Sequence, residues 1–453
     1  MILKCLLNCR PTSSWKHSKI FKILPRNLLT SEKQKEFPTR CDILIVGGGV
    51  IGSSVAYHLK EKVGDKLSIV LVEADDTYRA ASSALSMGCI RQQFTVPENI
   101  YLSRYGMEFL EKSHHLLKVP GLDPTDVQFH PRGFLMLASE ASRGQLLENF
   151  KIQIDAGAKV ELLSTEAEIK SRFPWMNTEG ITAGVIGTAN EGWFDPWSLL
   201  MGLRQKALSL GTHYIRGEFT GITIKENTTT TNLNIACLNL KRDKEDVLHE
   251  IEFATLVLAT GHQSGKIGKL AGIGKGKGIL SLPIPVEPRK RFVYCVHVPN
   301  GPGRDCPIFC DNTGAHFRPE ATPNIYLCIK APTQEEEPHT CNLNVDYEYF
   351  EKEIWPRLAK RIPSFENLKL RQAWAGFYDY NTFDQNAILG RHPALKNIVL
   401  ATGFSGHGIQ HAPGAGRAVM EYILYGRYLT INLERFGFER IINEKPLYEK
   451  NIL

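Results

Sequence analysis

At 453 residues, with 43% hydrophobic and 23% charged side chains, the chain has the composition of a globular protein, which excludes disorder, collagen and a pure disulfide scaffold. No apolar run approaches the roughly 18 to 20 residues that span a bilayer. The formal charge of +6 is localised: residues 1–40 hold nine Lys or Arg against two Glu, so the remainder is near neutral and offers no nucleic-acid surface.

Residues 1–31 contain no acid, while Lys4, Arg10, Lys16, Lys19, Lys22 and Arg26 alternate with apolar residues such as Leu6, Trp15, Ile20 and Phe21. That is the composition of a mitochondrial presequence, with a disordered basic tail as the alternative. A folded body is expected to start near Cys41. The ten cysteines are scattered without a CxxC pair, and Cys306 and Cys310 have no second pair to complete a zinc site. Reduced thiols and no metal are expected, as in cytosol or mitochondrial matrix.

Residues 41–46 read CDILIV, a short buried parallel strand, and run directly into Gly47-Gly48-Gly49-Val50-Ile51-Gly52. Gly47, Gly49 and Gly52 take the three glycine places of GxGxxG: a tight turn, an open backbone against pyrophosphate, and close helix-to-strand packing. Residues 51–62 supply the helix, whose N-terminal amides and dipole face an anion. The next strand, 67–72, ends in Glu73, where an acid binds the ribose hydroxyls. Strand, glycines, helix, strand and acid in this order predict a dinucleotide, and both NAD(P) and FAD use such a unit.

A second glycine cluster lies more than 300 residues on. Residues 397–401 read NIVLA and lead into Thr402-Gly403-Phe404-Ser405-Gly406-His407-Gly408, with a helix predicted over 417–424. Backbone N–H groups gathered at a helix start suit a flavin, whose reduced ring carries negative charge; a tight structural turn is the alternative. Between the two clusters, a strand ends in Ala259-Thr260-Gly261, where small residues leave room for a dinucleotide.

These motifs, with residues 80–94 (AASSALSMGCIRQQF), FDPWSL from 194 and WAGFYDYNTFDQNAILG from 374, resemble the D-amino-acid oxidase and sarcosine oxidase or dehydrogenase group of FAD enzymes over about residues 41–430. The resemblance implies an α/β fold: a discontinuous Rossmann-like FAD-binding domain over 41–125, 195–280 and 371–430, and an antiparallel-sheet substrate domain over 126–194 and 281–370. Residues 1–40 are then the presequence and 431–453 a C-terminal tail. It also implies that Ser82, Ser83 and Arg91 contact pyrophosphate or flavin, that Gly261 packs on the cofactor, and that Gly403, Ser405, Gly406, His407 and Gly408 meet the flavin pyrimidine.

Two departures from the group's pattern stand out. Relatives that bind flavin covalently use a Cys in the block matching 375–380 or a His near 80–90, and this chain has neither, so FAD is expected to be dissociable; Cys89 is expected to be a buried thiol. Amino-acid-oxidising relatives hold the substrate carboxylate with cations at the places of Phe94 and Gln410, so sarcosine, dimethylglycine and D-amino acids are expected to be poor substrates unless Arg289 to Arg291 supplies the charge. A Phe94→Arg/Gln410→Lys pair would then restore the clamp. Candidates for catalysis are Tyr378, His407 and Lys290, the last as a cation over the flavin or as an ordinary exposed Lys. The whole chain, leader included, is similar to mitochondrial members of the group associated with respiratory complex I. That implies a matrix-side FAD protein, peripheral to the inner membrane, with complex I subunits or assembly intermediates as partners. Oxidation of a secondary amine or N-substituted amino acid is the alternative function.

Cap strands are expected within 132–138, 291–297 and 325–330, a polar hairpin tip at 227–234, and a mobile loop at 331–341.

Overall fold

A computed structural model describes residues 37–225, 233–242 and 245–450. Its strands, in chain order, are β1 (Arg40–Val46), β2 (Ile69–Glu73), β3 (Cys89–Ile90), β4 (Phe134–Ala138), β5 (Val160–Leu163), β6 (Ala183–Gly187), β7 (Gly192–Trp193), β8 (His213–Lys225) and β9 (Leu233–Arg242). There follow β10 (Glu245–Leu258), β11 (Val286–His297), β12 (Ile308–Cys310), β13 (His316–Pro319), β14 (Ile325–Ile329), β15 (Lys369–Asn381), β16 (Ile388–His392) and β17 (Leu395–Thr402).

The first of two large sheets is built on β1. Its residues Cys41, Leu44 and Ile45 are buried because both faces are covered, which is why the run is continuously apolar. β1 lies parallel between β2 and β10, β2 pairs parallel with β8, and β10 with β17. β16 closes one edge antiparallel, and β9 bridges the outer halves of β8 and β10. Segments from three parts of the chain therefore make one seven-stranded sheet. Both long strands β8 and β9 run toward the expected hairpin tip, with Lys225 opposite Leu233; of its residues 227–234, 227–232 lie outside the described residues and 233–234 open β9.

The helix Val50–Val63 packs one face on the sheet and another on the helices Pro196–Ser209 and Gly408–Tyr425. Ala56, Leu59, Leu199, Leu203, Ala415 and Val419 are buried in that layer. Burial of a leucine-sized side chain is worth about 2 kcal/mol, so this layer holds the helix N-termini against the strand ends.

The second sheet has eight strands in the order β15-β11-β14-β13-β12-β4-β6-β5, antiparallel except between β12 and β4. One face buries Phe292, Tyr294, Phe309 and Phe317 beneath the helical segment 347–367, which contributes Phe350, Leu358 and Phe365 to the same core. The other carries Val293, Leu327 and Trp374 against Met87 and Cys89. The expected boundary at 371 needs correcting. Residues 371–381 belong to β15, which pairs with β11 from Val286↔Asn381 to His297↔Lys369, so they are the edge of the cap sheet. Thr39–Leu453 forms one compact unit in which both sheets take part.

The loop 331–341 has no regular structure, yet it is tied down, because Glu337 forms an ion pair with Arg291. Glu449 is also fixed: it accepts from Thr95 N at 2.5 Å and from Asn99 Nδ2 at 2.6 Å, at the start of the helix Pro97–Glu111. Among the described residues no helix is long and apolar enough to cross a membrane.

Candidate functional site

The strand-to-helix turn after β1 follows the glycine logic of the sequence. Gly47 has φ +102°, and a Cβ there would stand 2.2 Å from the Ala259 carbonyl oxygen at the end of β10. At Gly52 a Cβ would come within 1.8 Å of the Gly47 oxygen, so the helix can approach the turn only without a side chain. Gly52→Ala is expected to push the helix off the strand and cost about 3 kcal/mol, the upper range for overpacking. Thermal unfolding of the apoprotein should show a drop of several degrees; an unchanged melting temperature would mean that the helix shifts freely.

Glu73, at the end of β2, accepts from Gly48 N at 2.7 Å and Asp75 N at 2.9 Å. Burial raises its pKa, and these two N–H groups oppose the rise. Each carboxylate oxygen keeps a lone pair for a ribose hydroxyl. Ser83 has a more specific task than the sequence implied: its Oγ accepts from Val50 N at 3.0 Å, capping the helix start. The neighbouring Ser82 Oγ is buried without a partner in the cavity wall. An orphaned hydroxyl beside a helix N-terminus is what a pyrophosphate oxygen would satisfy.

The second glycine cluster is shaped by a residue the sequence reading missed. Asp379 on β15 is buried, and its Oδ2 accepts from Gly403 N at 2.8 Å and Phe404 N at 3.0 Å. Its main-chain oxygen accepts from Ser405 N at 3.0 Å. Burial pushes the carboxyl up to about 6, against the two N–H donors. A lone Asp in an aromatic strand gives no signal in one sequence, because its partners are backbone groups 24 residues away.

The expectation that Ser405 to Gly408 supply N–H donors narrows accordingly. Ser405 N is committed to Asp379, and His407 N donates to Phe404 O at 3.0 Å. The helix Gly408–Tyr425 starts one residue later with no side-chain cap. Gly408, Ile409 and Gln410, all in the cavity wall, open its first turn, and first-turn N–H groups have no acceptor within a helix. They are the donors a flavin would meet.

Both halves open on one cavity of about 1020 Å³. Gly47, Gly49, Glu73, Ser82, Ser83 and Gly261 line one part of it, and Arg91, Tyr378, Ser405, Gly406, His407 and Gly408 another. Gly52 and Gly403 stand behind the wall and shape the turns. Lys290 is not in the wall, which corrects the catalytic expectation for it. Side chains alternate along β11, so Arg291 reaches the cavity with Tyr378, while Lys290 turns to the opposite face, its Nζ 5.6 Å from the Phe292 ring centroid.

Arg91 is held by its surroundings. Its N–H donates to Gln410 Oε1 at 2.8 Å, its Nη1 to Gln93 O at 2.6 Å, and its Nη2 lies 3.3 Å from His407 Nε2. A guanidinium only donates, so His407 Nε2 is the acceptor and the ring is neutral with its proton on Nδ1. Burial first, then the Arg91 charge, holds the His407 pKa well below its usual value. The expected catalytic role of His407 therefore narrows to orienting Arg91, since the nitrogen that would take a proton is engaged.

The two presumed clamp positions are also redefined. Phe94 is buried among Ile100, Ala156 and Ala158, with the Arg91 guanidinium 4.4 Å from its ring centroid, and it does not line the cavity. Gln410 is spent on Arg91. Phe94→Arg would bury an unpaired cation behind the wall, so the double change is not a route to a restored clamp. Cys89 lines the cavity, and burial pushes its thiol up to about 11, which keeps it protonated and unreactive at neutral pH.

A parallel-centred sheet carrying GxGxxG, joined through one cavity to a helix-opening glycine loop and covered by an antiparallel sheet, defines a flavin-dependent oxidoreductase of the α/β class. The chain belongs to the FAD dependent oxidoreductase family, whose model matches residues 42–422, and its cofactor is FAD. It is 47% identical to the FAD-dependent oxidoreductase domain-containing protein 1 of Bos taurus over 92% of this chain and 88% of that protein. The protein of the same description from Xenopus laevis is 43% identical over 99% of this chain and 90% of that one. Among solved structures, L-proline dehydrogenase from P. horikoshii matches the fold with a TM-score of 0.75 at 24% identity, covering 91% of this chain and all of the other.

Proposed function

We propose that this chain oxidises a carbon–nitrogen bond of a secondary amine or N-substituted amino acid, with FAD held by Gly47, Gly49, Glu73, Ser82, Ser83 and the first turn of the helix Gly408–Tyr425. The observation that carries this reading is the continuity of the cofactor turns with a cavity floor made by the cap sheet, where Tyr378 and Arg91 stand together. The likeness to an L-proline dehydrogenase, named for a secondary amine, supports it.

FAD held there would supply the acceptor for a hydride from the carbon next to nitrogen. The protein's part is to seat a neutral amine and to keep protons where they are needed. Burial pushes the Tyr378 phenol up to about 12, so it stays protonated, and it accepts from Arg291 Nη2 at 2.8 Å. Its own proton is then free to donate toward the cavity. His316 is held neutral as well, lowered to about 4 by burial and then by Arg91. Arg91, fixed from three sides, supplies positive potential for an electron-rich group.

Anaerobic mixing of the holoprotein with a panel of N-alkyl amines and amino acids, followed by flavin absorbance, is the test. At least one secondary amine or N-substituted amino acid should bleach the flavin, and Tyr378→Phe should slow that step about tenfold. A flavin that no amine reduces would refute the reading.

A second reading is favoured by the basic, acid-free leader and by Arg291, which faces the cavity but is already neutralised by Glu337. In it the chain is a mitochondrial matrix protein, peripheral to the inner membrane, that keeps FAD while serving assembly of respiratory complex I on its subunits or intermediates. Loss of complex I on depletion, restored by the intact chain, is its expected result; normal complex I after depletion would dismiss it.

A further inference from the structure

The loop 331–341 contains three consecutive glutamates. Glu335 and Glu336 are exposed, whereas Glu337 turns inward, its side chain 17% exposed. Its two oxygens take a bidentate bond from Arg291, at 2.9 Å from Nη1 and 2.7 Å from Nη2. Arg289 adds a longer contact at 3.8 Å. On the other side, Arg291 Nη2 donates to the Tyr378 hydroxyl, and the guanidinium stands 4.8 Å from that ring's centroid. Arg291 and Tyr378 both line the cofactor cavity, and so do Lys330, Ala331, Pro332 and Thr333 at the root of the same loop.

A planar guanidinium beside a phenol is a receptor for a planar carboxylate, and here the carboxylate comes from the chain itself. We propose that Arg291 and Tyr378 form a carboxylate subsite of the cavity and that Glu337, which grips Arg291 from outside the wall, competes with a ligand for that guanidinium, so an anionic ligand binds by drawing Arg291 off Glu337 and releasing the loop. The inference rests on the cavity being the substrate chamber of the proposed function, and it deepens that reading by assigning the anion-binding group to the cap sheet in place of Phe94 and Gln410.

Three features of the loop suit a latch. It has no regular secondary structure to break, its neighbouring glutamates are solvated, and its inward contact is a charge pair with an exact chemical competitor. When a site is available only a fraction of the time, its apparent affinity falls by that fraction, and removing the internal competitor restores it.

The test uses the holoprotein and benzoate, a carboxylate the flavin cannot oxidise, with binding read from the perturbed flavin spectrum. Glu337→Gln should bind benzoate roughly tenfold more tightly than the unmodified chain, and adding Arg291→Leu should abolish the gain. Hydrogen exchange on the unmodified protein needs no variant: saturating benzoate should speed exchange across residues 331–341. Equal affinity with and without Glu337, no benzoate binding to either form, a gain that survives Arg291→Leu, or unchanged loop exchange would each overturn the proposal. Amine reduction of the flavin is measured separately, so a failed latch with a reducible flavin leaves the function standing, and a working latch with an irreducible flavin does the reverse.

Discussion

Glu73→Arg is expected to produce protein without FAD. The change removes the acceptor of two backbone N–H groups, at Gly48 and Asp75, and places a cation and extra bulk where the ribose hydroxyls need an acceptor. Hydrogen bonds to a charged group contribute about 1.5–3 kcal/mol each, so losing the two that the carboxylate would accept from the ribose hydroxyls weakens FAD binding by about a thousandfold. Glu73→Gln, which keeps an acceptor oxygen, should lose far less. Fluorescence titration of the apoproteins with FAD measures both, and near-normal affinity in the Arg variant would place the ribose elsewhere.

Asp379 gives the second large effect, and its two substitutions should diverge. Asp379→Ala strands the buried N–H groups of Gly403 and Phe404, at about 1–3 kcal/mol apiece, and frees the loop that sets the start of the helix Gly408–Tyr425. FAD affinity and melting temperature should both fall. Asp379→Asn keeps an acceptor oxygen without the charge. The carboxyl is pushed from 3.8 to about 6, so the folded protein retains this proton where the unfolded chain has lost it. Its contribution to stability is therefore full below about pH 4 and is lost as the pH rises through about 6, a change of about 3 kcal/mol. Denaturant unfolding from pH 4 to 7 should show this fall in the unmodified chain and a flatter profile in Asp379→Asn. Parallel profiles would mean that the carboxyl titrates normally.

The cofactor half was legible in the sequence because its physics is local. A strand, a turn that tolerates only glycine, a helix start and an acid follow one another within some 30 residues, and each constraint leaves a residue-type signature. The second glycine cluster was legible for the same reason, but its internal wiring was not. Which amides of 403–408 are free depends on Asp379, and the strand that carries Asp379 belongs to the other sheet. The substrate side was hardest to read. Lys290 and Arg291 are adjacent in sequence and equally basic, and only the register of β11 against β15 decides that Arg291 faces the cavity. Phe94 and Gln410 matched clamp positions by order along the chain, yet the first packs behind the wall and the second holds a backbone amide. Glu337 is one of three equal glutamates, and nothing but the path of the loop selects it.

One chain of this protein is expected to hold one FAD in the cavity between its two sheets without a covalent bond. Acid precipitation of the purified holoprotein, with the flavin in supernatant and pellet measured separately, tests it most directly. About one FAD per chain should appear in the supernatant, leaving a colourless pellet, and the Glu73→Arg protein should release none. Flavin that stays with the denatured chain would mean a covalent bond, and a purified protein that carries and takes up no FAD would mean that the cavity does not hold it.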